Sequence, residues 1–126
     1  MTIAYWCVLV AILLPYVLFG IFNANIGKGR DNNNPRDWKS DLINPVAKYA
    51  HSAHLNTFES NTGFIAGVII AHLAHAAQND INLLAVAYIA TRVLYSYFYL
   101  TGKGGLRSAF WGLSLLCTLG LFVISA

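Results

Sequence analysis

The sequence is short of acid. Five of its 126 residues are Asp or Glu, against eight Lys and Arg, and Glu59 is the one glutamate. Charged residues make up 10% of the chain, where a soluble domain carries about 25%. Together with a mean hydropathy of +0.56, this excludes an ordinary soluble composition. Cysteine is scarce too. Cys7 and Cys117 stand in opposite terminal apolar segments, with no CxxC and no Cys/His cluster, and read as buried free thiols, not as a disulfide or metal ligands. RNP-like, zinc and helix-turn-helix motifs are missing. The net charge of +3 is therefore not a nucleic-acid signature. The length sets one domain, residues 1–126, as the ceiling.

What the chain has instead is long runs without charge. Residues 3–22 carry none and match the roughly 20 residues that cross a hydrocarbon core. Residues 108–125 form a second uncharged run, within a fourth segment of residues 106–125. Residues 81–100 form another, interrupted only by Arg92. Residues 64–77 are apolar but too short alone. Asn44 and Pro45 supply a cap and a first helical position upstream. No further proline follows before residue 77. One helix over 45–77, about 50 Å long at 1.5 Å per residue, is therefore expected to cross the bilayer and overhang it. Pro15 predicts a kink in the first span. That span lacks a preceding Lys or Arg and a small-x-small site after it, so it reads as a span and not as a signal peptide. The fold class is all-α, an integral membrane four-helix bundle.

The basic residues set an orientation. Lys28, Arg30, Arg36, Lys39 and Lys48 follow the first span, and Lys103 and Arg107 follow the third. The connection at residues 78–80 has none. Seven of the eight basic side chains thus lie on one side, which the positive-inside tendency makes cytoplasmic, with both termini extracytoplasmic.

The stretch YAHSAHLNTFESNTGF, residues 49–64, places Asn56 and Glu59 three apart on one helical face. In the third span Tyr88, Arg92, Tyr95 and Tyr99 fall at offsets of 4, 7 and 11, one continuous stripe. Measured from the outer connection at 1.5 Å per residue, Glu59 lies roughly 27 Å in, Tyr99 roughly 28 Å and Arg92 roughly 18 Å. These groups come to similar depth near the cytoplasmic interface. Two readings stand side by side: a ligand site between helices, or belt tyrosines with a structural Glu59–Arg92 ion pair. His72 and His75 lie near the other end of the long helix, without the further ligands a metal needs, and no metal site is expected there. His51 and His54 belong to the overhang.

Four spans, A-x-x-N-x-x-E at Ala53, Asn56 and Glu59, Phe64 after it, and Arg92, Tyr95, Tyr99 and Arg107 in order resemble the MAPEG family, the membrane-associated proteins in eicosanoid and glutathione metabolism. The likeness covers nearly the whole chain, and the loop DNNNPRDW resembles bacterial members. The resemblance implies a homotrimer in a bacterial inner membrane. It also implies glutathione as co-substrate, bound between subunits near the cytoplasmic side by Asn56, Glu59, Arg92, Tyr95 and Tyr99. Arg107 matches the arginine that activates the thiol, and lipophilic small molecules and membrane lipid are the other partners. Two positions depart from the family pattern: Ser52 stands where glutathione-using members usually carry arginine, and Gly63 where a proline is usual.

Three function classes follow. The first is a glutathione-dependent transferase or peroxidase acting on lipophilic electrophiles or lipid hydroperoxides. The second is a non-catalytic lipid-binding or scaffolding relative. The third, a small proton-coupled exporter, fits less well, because its glutamate belongs in the first span and that span has no charge. Arg107 favours the first class over the second, and Ser52 does the reverse.

Overall fold

The computed structural model describes residues 1–27, 31, 33–35, 37 and 44–126. It contains four helices in these residues: α1 (Ile3–Asn25), α2 (Pro45–Leu73), α3 (Gln78–Leu100) and α4 (Gly104–Val123). α1 packs on α2 and α3, and α4 packs on the same two. α1, α3 and α4 are each long and apolar enough to cross a membrane. α2 is longer, at 29 residues or about 44 Å, but its first half is polar.

The bundle is built for lipid. Large apolar side chains are exposed along α1, α3 and α4, including Trp6, Leu13 and Val17 on α1, Leu83 and Val93 on α3, and Leu116 and Leu119 on α4. Its interior is lined by small residues: Ala4, Ala11, Ala47, Ala50, Ala53, Ala71 and Ala85 are all wholly buried. Bilayer tails offer as much apolar contact as leucine does, so helices associate through close backbone approach and internal hydrogen bonds. Gly67 is one such approach, since a Cβ there would lie 3.2 Å from Cβ of Leu121.

Each helix boundary has a local cause. Thr2 accepts from the amide of Tyr5 and caps α1. Asn44 accepts from the amide of Ala47 at 2.9 Å, with Pro45 opening α2, as the N-cap rule requires. Both α2 and α3 close with the paired carbonyl contacts of a Schellman turn. At α3 the left-handed residue is Gly102, φ +72°. At α2 it is His75, φ +57°, so the helix ends at Leu73 and not at residue 77.

Pro15 lies inside α1. It has no N–H, so the carbonyl of Ala11 loses its intrahelical partner. Asn61 on α2 replaces that partner, its Nδ2 donating to Ala11 O. The other end of the Asn61 amide accepts from the Tyr88 hydroxyl of α3 at 3.0 Å, and Tyr88 stacks on Phe64 at 3.9 Å. Three helices are thereby tied at one buried amide. One turn along, His54 Nδ1 donates to the Pro15 carbonyl at 2.8 Å. Near the chain's N-terminus His72 plays a similar role. Its Nδ1 donates to Val68 O at 2.8 Å, Nε2 meets the Thr2 hydroxyl at 3.3 Å, and its ring stacks on Tyr5.

Candidate functional site

The interior stripe of α2 runs Ala53, Thr57, Asn61, Phe64, Val68, Ala71, all buried. Asn56 sits one residue before that stripe and is half-buried, while Glu59 is exposed. A rotation of about 100° per residue therefore places Asn56 at the edge of the α2 interior face, and Glu59, two residues past Thr57, about 160° away from it. Both line a cleft of about 300 Å³ that also includes Gly63, Tyr88, Trp111 and Ser114. A second cleft of about 280 Å³ lies between Asn56, Tyr95, Tyr99, Arg107, Ser108 and Trp111. The two adjoin at Asn56 and Trp111.

Arg92 lies behind this groove with no exposed surface. Its Nη2 donates to Thr57 Oγ1 at 2.8 Å and to Asn56 Oδ1 at a longer 3.4 Å. Its guanidinium carbon stands 4.1 Å from the centre of the Tyr95 ring, a cation–π distance. Nε and Nη1 are buried and have no hydrogen-bond partner. No carboxylate among the described residues pairs with it, and its neighbours, Thr57, Asn56 and the Tyr95 ring, are all neutral. An ion pair between Glu59 and Arg92, one of the two readings open from the sequence, is thus not formed in the protomer.

Arg107 comes from the first turns of α4 and lies over the Tyr99 ring at 4.8 Å. Tyr99 in turn meets Tyr95 edge to face at 5.6 Å. The α3 stripe therefore delivers Tyr95 and Tyr99 as a ring ladder between two guanidinium groups, Arg92 below and Arg107 at the mouth. Arginine is the side chain suited to this, since its planar cation stacks on rings while its N–H groups remain available to an anion.

Five of the six residues singled out in the sequence, Asn56, Glu59, Tyr95, Tyr99 and Arg107, line this one groove, and Arg92 contacts Asn56 and Tyr95 directly behind it. Tyr88, also in the stripe, is anchored to Asn61 and belongs to the bundle core. Ser52 is exposed one turn before Asn56. His51 and His54 lie elsewhere, against Phe22 and Phe19 of α1. Sequence reasoning missed Thr57, the closest acceptor of Arg92. The signal was the 53–57–61 spacing, which puts Thr57 at the centre of the α2 interior face. It also missed Trp111, the wall shared by both clefts, which stands four residues after Arg107 and so on its face of α4.

The groove combines two cations, an amide, a carboxylate and two phenol rings along an apolar wall. Such a set can hold a small zwitterion with carboxylates and an ammonium, and it can place a guanidinium beside an ionising group. No curated protein matches the chain. The family model that does match is that of the MAPEG family, over residues 3–126. The chain is an integral membrane protein that belongs to the MAPEG family, a membrane family of glutathione-related transferase and peroxidase type.

Proposed function

We propose that the protein is a glutathione-dependent transferase or peroxidase working on lipophilic electrophiles or lipid hydroperoxides. The observation that supports this most is Arg92, a wholly buried cation with two N–H positions unpaired and no acid beside it. A buried charge without a partner is strongly unfavourable, and an anionic ligand at the adjoining groove relieves it. Glutathione brings two carboxylates, an ammonium and a thiol. In this reading Arg92 attracts a carboxylate, Glu59 meets the ammonium, and Asn56 with the Tyr95 and Tyr99 hydroxyls bonds the peptide groups. Arg107, at the mouth, faces the sulfur.

The chemistry then rests on Arg107. A free thiol ionises near pH 8.5, so only a few per cent is thiolate at neutrality. A guanidinium that lowers this by about two units supplies about 2.7 kcal/mol of differential stabilisation. The thiolate attacks an electrophilic carbon to form a thioether, the displaced pair leaving on the leaving group. With a hydroperoxide it attacks the distal oxygen, giving an alcohol and a sulfenic acid that a second glutathione converts to disulfide and water. Trp111 and Leu115, on the apolar wall of the first cleft, admit the lipophilic partner from the bilayer.

The assembly in this reading is a homotrimer in a bacterial inner membrane, with the groove completed at a subunit boundary on the cytoplasmic side and both termini outside. Cysteine labelling at Asn79 and Lys103, each replaced in a background with Cys7 and Cys117 changed to serine, tests the orientation. Labelling of the Lys103 position from the outside would reverse it. Native mass spectrometry tests the trimer.

The decisive chemical experiment is spectroscopic. Glutathione added at neutral pH should produce the ultraviolet band of a thiolate. Arg107→Ala should abolish the band while leaving much of the binding, and Glu59→Gln should weaken binding. If calorimetry detects no glutathione binding at millimolar concentration in the wild type or in Ser52→Arg, the assignment fails. One observation favours the second reading, lipid binding without catalysis: exposed Ser52 leaves the family's usual arginine position uncharged. The exporter class loses its basis in a chain of this family.

A further inference from the structure

A third cavity, of about 170 Å³, lies at the turn from α3 to α4. Tyr49 of α2, Phe98 and Tyr99 of α3, Gly102, Gly104 and Arg107 line it. It shares Tyr99 and Arg107 with the second cleft, while Tyr49, Phe98 and the two glycines do not line that cleft. α3 and α4 are both long and apolar enough to cross a membrane, and between Leu100 and Gly104 the two spans leave the hydrocarbon. The cavity therefore stands at the depth of the lipid headgroups, which flank a core about 30 Å thick.

Cations meet here without acids. Arg107 lies over the Tyr99 ring at 4.8 Å. Lys103, between the two glycines of the wall, holds its ammonium 6.0 Å from the centre of the Phe98 ring. Residues 81–126 contain Arg92, Lys103 and Arg107 and no Asp or Glu. A guanidinium stacked on a ring keeps its N–H groups for an anion, so charge complementarity asks for an anionic occupant. Size narrows the class. A site that encloses a small molecule takes about 300–1,000 Å³, so this cavity holds one anionic group whose remainder lies outside. Beside the cations the surface is apolar, with Tyr97 55% exposed on α3 and Leu106 46% exposed on α4. Acyl chains cover such a surface, and a soluble anion leaves it bare. Basic pockets at the ends of membrane helices hold lipid phosphates by these means. We propose that the α3–α4 turn binds the phosphate of an anionic phospholipid, held by Arg107 and Lys103 over the Tyr99 and Phe98 rings, with the acyl chains along Tyr97 and Leu106.

The test uses the full chain in nanodiscs of equal parts phosphatidylglycerol, which is anionic, and phosphatidylcholine, which carries the same phosphate without net charge. Native mass spectrometry of the released protein reads which lipid is kept. No glutathione is added, so the result does not depend on the thiol reading of Arg107. The wild type should retain one phosphatidylglycerol per protomer, preferred by about twenty-five-fold, or about fivefold for each of two cations. Lys103→Gln should lower the preference to about fivefold. Lys48→Gln removes the same charge from the exposed first turn of α2, outside the cavity lining, and should leave the preference unchanged. Absence of retained lipid in the wild type overturns the site. Equal retention of the two lipids overturns the anion requirement, as does a preference for phosphatidylcholine, whose choline would then sit among the rings. Equal losses in Lys103→Gln and Lys48→Gln overturn the site in favour of a diffuse basic surface. Inorganic phosphate that releases the retained lipid as readily as short-chain phosphatidylglycerol does would assign the cavity to a soluble anion and overturn the lipid.

Discussion

Two polar clusters cross the interior of the bundle, roughly one helical turn apart along α2 and α3. In one, Asn61 donates to Ala11 O and accepts from Tyr88, whose ring is stacked on Phe64. In the other, Arg92 donates to Thr57 and weakly to Asn56 and keeps Nε and Nη1 unpaired. Both join α2 to α3, and both sit in low-dielectric surroundings. The first is closed, in that the Asn61 amide has a partner at each end and each partner needs it. The second is open, and it carries a charge. A closed network stabilises the fold it belongs to. An open one lowers stability until something from outside completes it, which is how a structure stores selectivity for a ligand.

Breaking the closed cluster should have the largest effect. Asn61→Leu keeps the approximate volume but strands both the Ala11 carbonyl and the Tyr88 hydroxyl in a buried position. At 1–3 kcal/mol for each stranded group, the loss is about 3 kcal/mol, read as a marked fall in melting temperature in mild detergent. Glutathione binding measured below the new transition should be little changed. A variant as stable as the wild type would show that Asn61 does not hold the bundle.

Arg92→Met should do the opposite on both counts. It removes an unpaired buried cation, and such replacements by apolar groups of similar volume are neutral or stabilising. The stranded Thr57 hydroxyl can turn to its own helix. Stability of the free protein should hold or rise by about 1 kcal/mol, while glutathione affinity should fall about tenfold, equivalent to about 1.4 kcal/mol. A sharp loss of stability together with unchanged affinity would place Arg92 with Asn61 as a purely structural residue.

Tyr88→Phe is the milder cut in the closed cluster. The stack on Phe64 survives and one hydrogen bond is lost, a loss of about 1 kcal/mol in a membrane interior. Chemical unfolding in detergent would resolve it, and calorimetry with glutathione should show no accompanying change.

How far the sequence reveals these clusters depends on which partner supplies the signal. The four helices are legible because uncharged runs, the Asn44–Pro45 start and Gly102 at the α3 turn are local features. The α2 terminus is not, since His75 adopts a left-handed conformation for which histidine gives no hint. The α3 stripe is legible from spacing alone, and it leads to the groove. Its two halves look alike in sequence, though, and only tertiary contact separates Tyr88, bound to Asn61, from Tyr95, beside Arg92. Pro15 announces a missing hydrogen bond in α1, but the donor that replaces it stands 50 residues from Ala11. Glu59 and Arg92 invite pairing by depth, yet positions two apart on α2 point about 200° apart. Thr57 takes the buried contact and Glu59 faces outward.

The finest test converts the open cluster toward the closed one by changing a single group. Asn56→Asp keeps the side-chain shape and replaces the amide nitrogen by a second carboxylate oxygen, so the atom that now accepts from Arg92 Nη2 at 3.4 Å becomes part of an anion. Asn56 is half-buried, which limits the desolvation of the new carboxylate. The Arg92 charge gains the counter-charge it lacks in the protomer. Against the several kcal/mol that burying a second ion takes, the attraction leaves a small net gain, about 0.5 kcal/mol of stability in the free protein. The same carboxylate neutralises the attraction for a ligand anion and repels it, so glutathione affinity should fall about threefold, about 0.65 kcal/mol. The opposed signs are the diagnostic. A structural role for Arg92 predicts higher stability with binding untouched, and a groove whose anion is held elsewhere predicts no change in either. Paired measurement of melting temperature and calorimetric affinity on this one variant separates the three cases.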